Sequence, residues 1–293
     1  MSELTIKLGV HVSISGGLSK SIDNASGMGC SAFQIFTRSP RQWKTKDIPT
    51  EEATLFINNL KASPISSDSV IAHMPYLPNL SAPESEMYQK SLKVLEDEVK
   101  RCSLLHIPFL VVHLGSHLGK GSENGISQIT TACKTAMNNY SDIHSGKKSV
   151  KILLENSSGQ KNSIGSSIEE IAEIFDRLDS RNFGLCLDTC HAFAAGYDLS
   201  GEKGVTHLLD LISDNVGIDR LNVIHLNDSK GEFGANLDRH YHIGIGKIGR
   251  DGFKSLLNVK KLHHIPFIME TPIDDVRNNL DNIQYVKNLL NID

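Results

Sequence analysis

Residues 222–242 place an apolar, β-branched run directly before His225, and a glycine-broken polar loop after it carries Asp238 and His240. Those three side chains are ligands of the kind that bind divalent transition metals. The same ending recurs along the chain. His73 closes the run 70–72, His113 the run 109–112, Glu155 the run 151–154, Asp188 the run 183–187 and Glu270 the run 266–269, at intervals of 33 to 45 residues. His191 follows Asp188 by three. Taken singly, a histidine at a strand end is a packed core residue, a buried glutamate an ion-pair partner, and Asp188 a helix cap. Nine such groups gathered in one place resist that reading, because burying so many carboxylates and imidazoles without compensation costs several kcal/mol each, roughly, and bound cations offset it. Five imidazoles among four carboxylates suit zinc, with manganese or iron as alternatives, whereas calcium and magnesium prefer more oxygen. Nine ligands with one shared carboxylate match three ions. A multi-ion cluster in an open pocket activates water near neutral pH and clamps attacking and leaving oxygens, which is the apparatus of phosphoester hydrolysis.

Bringing those residues together requires strands that all end on the same side. Eight apolar runs (7–12, 32–36, 70–72, 109–112, 151–154, 183–187, 221–224 and 266–269) alternate with segments of helical periodicity, at about 37 residues per unit. Tyr88, Leu92, Leu95, Val99 and Cys102 form an amphipathic stripe within 83–106. Ser167 and Glu170 make a capping box ahead of Ile168, Ile171, Ile174 and Phe175, and Val276, Leu280, Ile283, Val286 and Leu290 predict a last helix opened by Asp274 and Asp275. Eight uninterrupted units predict an α/β fold, a (β/α)8 TIM barrel, as one domain over residues 1–293. A doubly wound open sheet needs a glycine-rich phosphate turn that Gly16-Gly17 does not supply.

Composition narrows the class further. The 293 residues are 39% hydrophobic and 22% charged, as for a globular chain with a substantial core. No targeting segment or membrane-length apolar run is read, so a cytoplasmic protein with no membrane partner is expected. Five scattered cysteines argue against a disulfide framework. The net charge of −4 does not advertise a nucleic-acid binder, but three divalent ions would bring it to +2, concentrated in one cleft. His11, His117 and His242 lie near enough to the rim to support ligands; the other histidines read as surface or packing residues. A monomer is the default expectation.

The segments Leu154-Glu155-Asn156-Ser157-Ser158-Gly159-Gln160, Leu187-Asp188-Thr189-Cys190-His191, His225-Leu226-Asn227-Asp228-Ser229-Lys230 and Asp238-Arg239-His240, with the Gly244-x-Gly246-x-Ile248-Gly249 tail, closely resemble the endonuclease IV family of apurinic/apyrimidinic endonucleases. The likeness runs from Gly9-Val10-His11-Val12-Ser13 to Met269-Glu270-Thr271-Pro272. It implies a three-zinc barrel that cleaves double-stranded DNA 5′ to abasic sites and trims blocked 3′ ends. It also implies that His73 and His113 hold a first ion bridged by Glu155, that Asp188, His225 and Glu270 complete a second, and that His191, Asp238 and His240 hold a third. Glu155 and Glu270 would be catalytic, orienting the attacking water. Arg41 and Tyr76 match the family's DNA-wedging positions, and Arg239, with Lys44, Lys230 and Lys247, is a candidate phosphate contact. Pro40 and Ile245 depart from residues frequent in the family. Trp43, in the same loop as Arg41, reads equally as a DNA contact or as a loop anchor. Two rivals remain: a metal-dependent sugar isomerase or epimerase on the same barrel, which needs fewer ions, and a non-catalytic DNA-binding relative.

Overall fold

Apolar runs without strict alternation suit strands covered on both faces, and segments with one-sided apolar stripes suit the helices that cover them. The computed structural model describes residues 6–143 and 149–290. In chain order the elements are β1 (Lys7–His11), α1 (Lys20–Gly27), β2 (Ala32–Phe36), α2 (Thr50–Ala62), β3 (Val70–His73), α3 (Glu86–Leu105), β4 (Phe109–His113) and α4 (Ser122–Ile143). Then come β5 (Lys151–Glu155), α5 (Ile168–Asp176), β6 (Phe183–Asp188), α6 (Thr189–Ala195), α7 (Glu202–Asn215) and β7 (Leu221–His225). The chain finishes with β8 (Asp228–Ser229), β9 (His240–Tyr241), α8 (Gly249–Leu257), β10 (Pro266–Met269) and α9 (Asn279–Leu290). Strands β1 to β7 and β10 close into a parallel barrel in the spatial order β1, β10, β7, β6, β5, β4, β3, β2, while β8 and β9 form a small antiparallel pair outside it. The (β/α)8 expectation matches this architecture.

Two cores hold the barrel. Ala32, Ile71, Val111, Leu153, Cys186, Val223 and Ile268, from seven different strands, pack together as a fully buried interior layer. The matching place on β1 is Gly9, paired with Ala32; a Cβ there would collide with the Ala32 carbonyl, so the close approach of β1 and β2 requires glycine. The larger core lies between strands and helices and includes Phe33, Phe56, Tyr88, Phe183 and Phe253. Because side chains alternate along a strand, the residue two beyond each interior position returns to the same face, now at the carboxyl mouth. Those residues are His11, Gln34, His73, His113, Glu155, Asp188, His225 and Glu270.

Helix ends follow local capping chemistry. Ser85 caps α3 by accepting from the Tyr88 amide, and Ser167 caps α5 by accepting from the Glu170 amide. The Glu170 carboxylate reaches the Gly165 amide at 3.0 Å, earlier in the turn than a standard capping box would have it. The last helix begins later than its apolar stripe predicts. Asp274 accepts from the amides of Val276 and Arg277, closing a turn, and Asn278 and Asp281 then exchange amide-to-side-chain bonds that cap α9 at Asn278. Val276 and Leu280 are therefore exposed, while Ile283 and Val286 are buried. All five cysteines are buried and free. Among the described residues, no helix is long and apolar enough to cross a membrane.

Candidate metal centre

Glu155, the last residue of β5, occupies the middle of the barrel mouth. Its Oε2 lies 3.1 Å from Nε2 of His73 and 3.1 Å from Nε2 of His113, and its Oε1 lies 2.8 Å from Nδ1 of His225. That His225 nitrogen is also 3.3 Å from Glu270 and 3.9 Å from Asp188. Beside this group, Nε2 of His191 is 3.2 Å from Asp238, and Nε2 of His240 is 3.4 Å from Asp238 and 3.5 Å from Asp188. Three sets of ligand atoms fall within 4.8 Å of one another: His73, Glu155 and His225; Glu155, Asp188, His225 and Glu270; and His191, Asp238 and His240. His113 joins them through Glu155. Cys190 also sits within reach of Asp188 and His240, and burial pushes its thiol pKa well up.

Neighbours set the orientations of these candidate ligands. Nδ1 of His73 faces the Met74 carbonyl at 2.7 Å and Nδ1 of His191 the Asn156 carbonyl at 2.9 Å, so each ring donates there and turns Nε2 to the mouth. Asp188 is both a mouth carboxylate and the cap of α6, accepting from the His191 amide at 2.7 Å. Asn227 donates to Asp188 and accepts from the Glu270 amide, both at 2.7 Å, tying β6 to the end of β10. Gln34, which the sequence reading passed over, is buried among these groups: its Nε2 donates to Glu270 at 2.7 Å and its Oε1 lies 2.8 Å from Nε2 of His225. The signal that would have found it is its place two residues after an interior strand position, the relation every other mouth residue obeys.

Burial alone would raise the carboxyls of Glu155 and Glu270, yet the facing imidazoles, His225 foremost, hold both well below the usual range. Burial opposes charge on His191, but Asp188 and Asp238 outweigh it and push its pKa up to about 10. Among the described residues, the ion-pair partners of Glu155, Asp188, Asp238 and Glu270 are imidazoles alone, with no lysine or arginine. Nε2 of His240 is buried and has no hydrogen-bond partner although two carboxylates face it. A nitrogen left unpaired in front of carboxylates, in a site without fixed cations, fits a divalent ion. The donor set is thus a candidate metal-binding centre.

The mouth opens into a cavity of about 330 Å³ bounded beyond the ligands by His11, Tyr76, Ile273 and Asn279. A second cleft of about 310 Å³ continues from Tyr76 and His113 over Ser157, Ser158, Gln160 and Lys161. Tyr76 is 59% exposed and stands at this junction, its ring 5.1 Å from Phe36 and 6.2 Å from His113. Arg41 and Arg239 are exposed, on the loop after β2 and between the candidate ligands Asp238 and His240. Trp43 is half-buried against the outer core, which favours the anchor reading over a free DNA contact. Lys247 is paired with Glu232, and Lys230 lies over the Tyr241 ring. Of the three supporting histidines expected, His11 approaches the candidate ligand Glu270, with Nδ1 3.6 Å from it. His242 instead braces its loop through Asp274 and Asn282, and His117 accepts amides of Gly119 and Gly121 within its own turn.

Fold and mouth together define a (β/α)8-barrel protein with a nitrogen-rich, multi-carboxylate candidate metal centre. Residues 22–290 match the family described as xylose isomerase-like TIM barrel. The chain is 48% identical, over 96% of its length and 99% of the relative's, to the probable endonuclease 4 of Nitrosopumilus maritimus. It superposes with a TM-score of 0.83 on endonuclease IV from Thermus thermophilus, at 32% identity and covering 97% of this chain and 99% of that one. A D-tagatose 3-epimerase-like protein gives a TM-score of 0.72 at 19% identity, covering 98% and 97%, a likeness of fold alone. The chain belongs to the endonuclease IV family and is a nuclease.

Proposed function

We propose that this chain is a zinc-dependent DNA-repair endonuclease that cuts double-stranded DNA 5′ to abasic sites, leaving a 3′ hydroxyl and a 5′ deoxyribose phosphate, and also removes 3′ blocking groups. The observation that supports this reading is the convergence of nine candidate ligand side chains on one mouth where, among the described residues, no lysine or arginine pairs with the four carboxylates and Nε2 of His240 has no hydrogen-bond partner. His73 and His113 with Glu155 would hold one ion, Glu155 with Asp188, His225 and Glu270 a second, and His191, Asp238 and His240 a third. Ions bound there supply Lewis acidity at the phosphodiester and ease deprotonation of water. Glu155 and Glu270 present carboxylate oxygens to the attacking water and orient it. Arg41 and Arg239, both exposed, supply charge for phosphates, and Tyr76 offers an exposed ring against the unstacked lesion. Lesion choice rests on flippability: an abasic site has already lost the stacking of one base, so drawing its sugar phosphate into the mouth costs less than for an intact nucleotide.

A sugar isomerase would not need the separate set His191, Asp238 and His240, which argues for phosphodiester chemistry over that rival. The test is incubation of the zinc-loaded chain with a duplex carrying one abasic site, with and without a strong chelator. Chelator-sensitive nicking 5′ to the lesion is expected; an intact duplex with the loaded protein would overturn the proposal.

A further inference from the structure

The eight strand ends at the mouth carry seven groups able to bind metal and one that is not a ligand of choice: Gln34, fully buried at 0% exposure. Its amide makes three contacts with charged or titratable partners. Nε2 lies 2.7 Å from Oε1 of Glu270 and 3.1 Å from Nδ1 of His11, and Oε1 lies 2.8 Å from Nε2 of His225. Chemistry fixes which way this amide points. A carboxylate oxygen accepts, so the NH2 group faces Glu270 at 2.7 Å and the carbonyl oxygen then faces His225 at 2.8 Å. That oxygen can only accept, so Nε2 of His225 carries a hydrogen. That leaves Nδ1, 2.8 Å from Glu155 and 3.3 Å from Glu270, as the nitrogen that would give up its hydrogen and coordinate an ion where the second set of candidate ligand atoms converges.

We propose that Gln34 is a positioning residue of the metal centre: one amide fixes the tautomer of His225 and the orientation of the Glu270 carboxylate at the same time. Resting on the metal-dependent reading above, the inference extends it to a residue outside the ligand set. Other mouth histidines are oriented by main-chain carbonyls, as His73 is by Met74 and His191 by Asn156. At the outer nitrogen of His225 the acceptor comes instead from a side chain, supplied by β2, which contributes no ligand. Hydrogen-bonded partners of ligands commonly govern metal affinity by about 10- to 100-fold, and here one residue serves two ligands of one ion.

The test uses Gln34→Met, which keeps the length and volume of the side chain without its amide, and Gln34→Ala as a second variant. Zinc-loaded proteins are titrated with a chelator, retained zinc per chain is measured, and the visible spectrum of the cobalt(II)-substituted forms is recorded. We expect one fraction of the zinc to leave at about 10- to 100-fold lower free chelator, with the remainder held as in the wild type, an altered cobalt spectrum, and melting in excess zinc close to that of the parent. Incision should lose kcat, with KM for the abasic duplex unchanged. Wild-type zinc retention and an unchanged cobalt spectrum in both variants would overturn the assignment. A wild-type chain that binds zinc but leaves abasic DNA uncut defeats the substrate reading instead, and the chelator titration still decides the role of Gln34.

Discussion

Asp228 offers the sharpest test of how the loop that carries Asp238 and His240 is held. Its carboxylate is fully buried and accepts main-chain amides from Ser229 at 2.8 Å and Ile248 at 3.0 Å on Oδ1, and from Gly244 and Gly246, both at 2.9 Å, on Oδ2. A Cβ on Gly246 would meet this same carboxylate, so glycine is what lets the backbone wrap it. Asp228→Asn replaces one acceptor oxygen by an NH2 group, and whichever way the amide turns, two of those four amides face a donor. Hydrogen bonds to a charged group contribute about 1.5–3 kcal/mol each, so losing two costs roughly 3–6 kcal/mol. Burial raises the pKa of this carboxyl against the pull of the amides, so a neutral side chain recovers part of that loss, and a net destabilisation of about 2–4 kcal/mol follows. At this chain length that is a fall of about 5–10 °C in melting temperature. Thermal and urea unfolding with the metal removed would measure it directly. The β8–β9 pair sets Ser229 against His240, so the variant should also need more zinc to saturate. A loss of stability below about 1 kcal/mol would show that the loop is held by something other than this carboxylate.

Three further outcomes can be checked. Glu155→Gln should lower incision by at least about 10²–10³-fold while a gel-shift with abasic duplex still reports binding; an active variant contradicts the role given to that carboxylate. Arg41→Ala should weaken binding to abasic duplex by about fivefold and reduce the salt slope of affinity by about 1, and equal affinities would remove Arg41 from the interface. Zinc uptake should release protons near neutral pH. In the metal-free chain His191, with a pKa of about 10, is protonated at pH 7 and must lose that proton to become a ligand. Affinity therefore rises with pH up to that pKa, by about tenfold per pH unit for each proton displaced. Calorimetry in buffers of different ionisation enthalpy measures the release, and uptake without it would mean that His191 does not bind the ion.

The ring of candidate ligands was readable in the sequence because two geometric rules act together. A closed parallel barrel brings every strand's carboxyl end to one rim, and alternation brings residues 73, 113, 155, 188, 225 and 270 to the face of the interior layer two residues before them. Applied to all eight strands, the same rule reaches Gln34 and His11. Reading by ligand type alone stopped at six strands, because an amide does not announce itself as metal chemistry. Asp228 escaped for a different reason: its partners are main-chain amides of a loop 16 to 21 residues away, and nothing in their side chains marks them. Distance along the chain hid the base of the Arg41 loop as well. Glu98 of α3 is fully buried and takes Arg38 and Thr37 on its two oxygens, Arg101 donates to Thr37 and to the Lys46 carbonyl, and Arg38 reaches the Trp43 carbonyl. The Glu98 carboxylate thus ties two buried guanidiniums, Arg38 directly and Arg101 through Thr37, behind the loop that carries Arg41 and Lys44. Breaking such a network by removing its anion costs about 3–5 kcal/mol, far more than an exposed DNA contact repays. The loop that carries exposed Arg41 is thus anchored at a concealed polar base that residue types along the strands do not reveal.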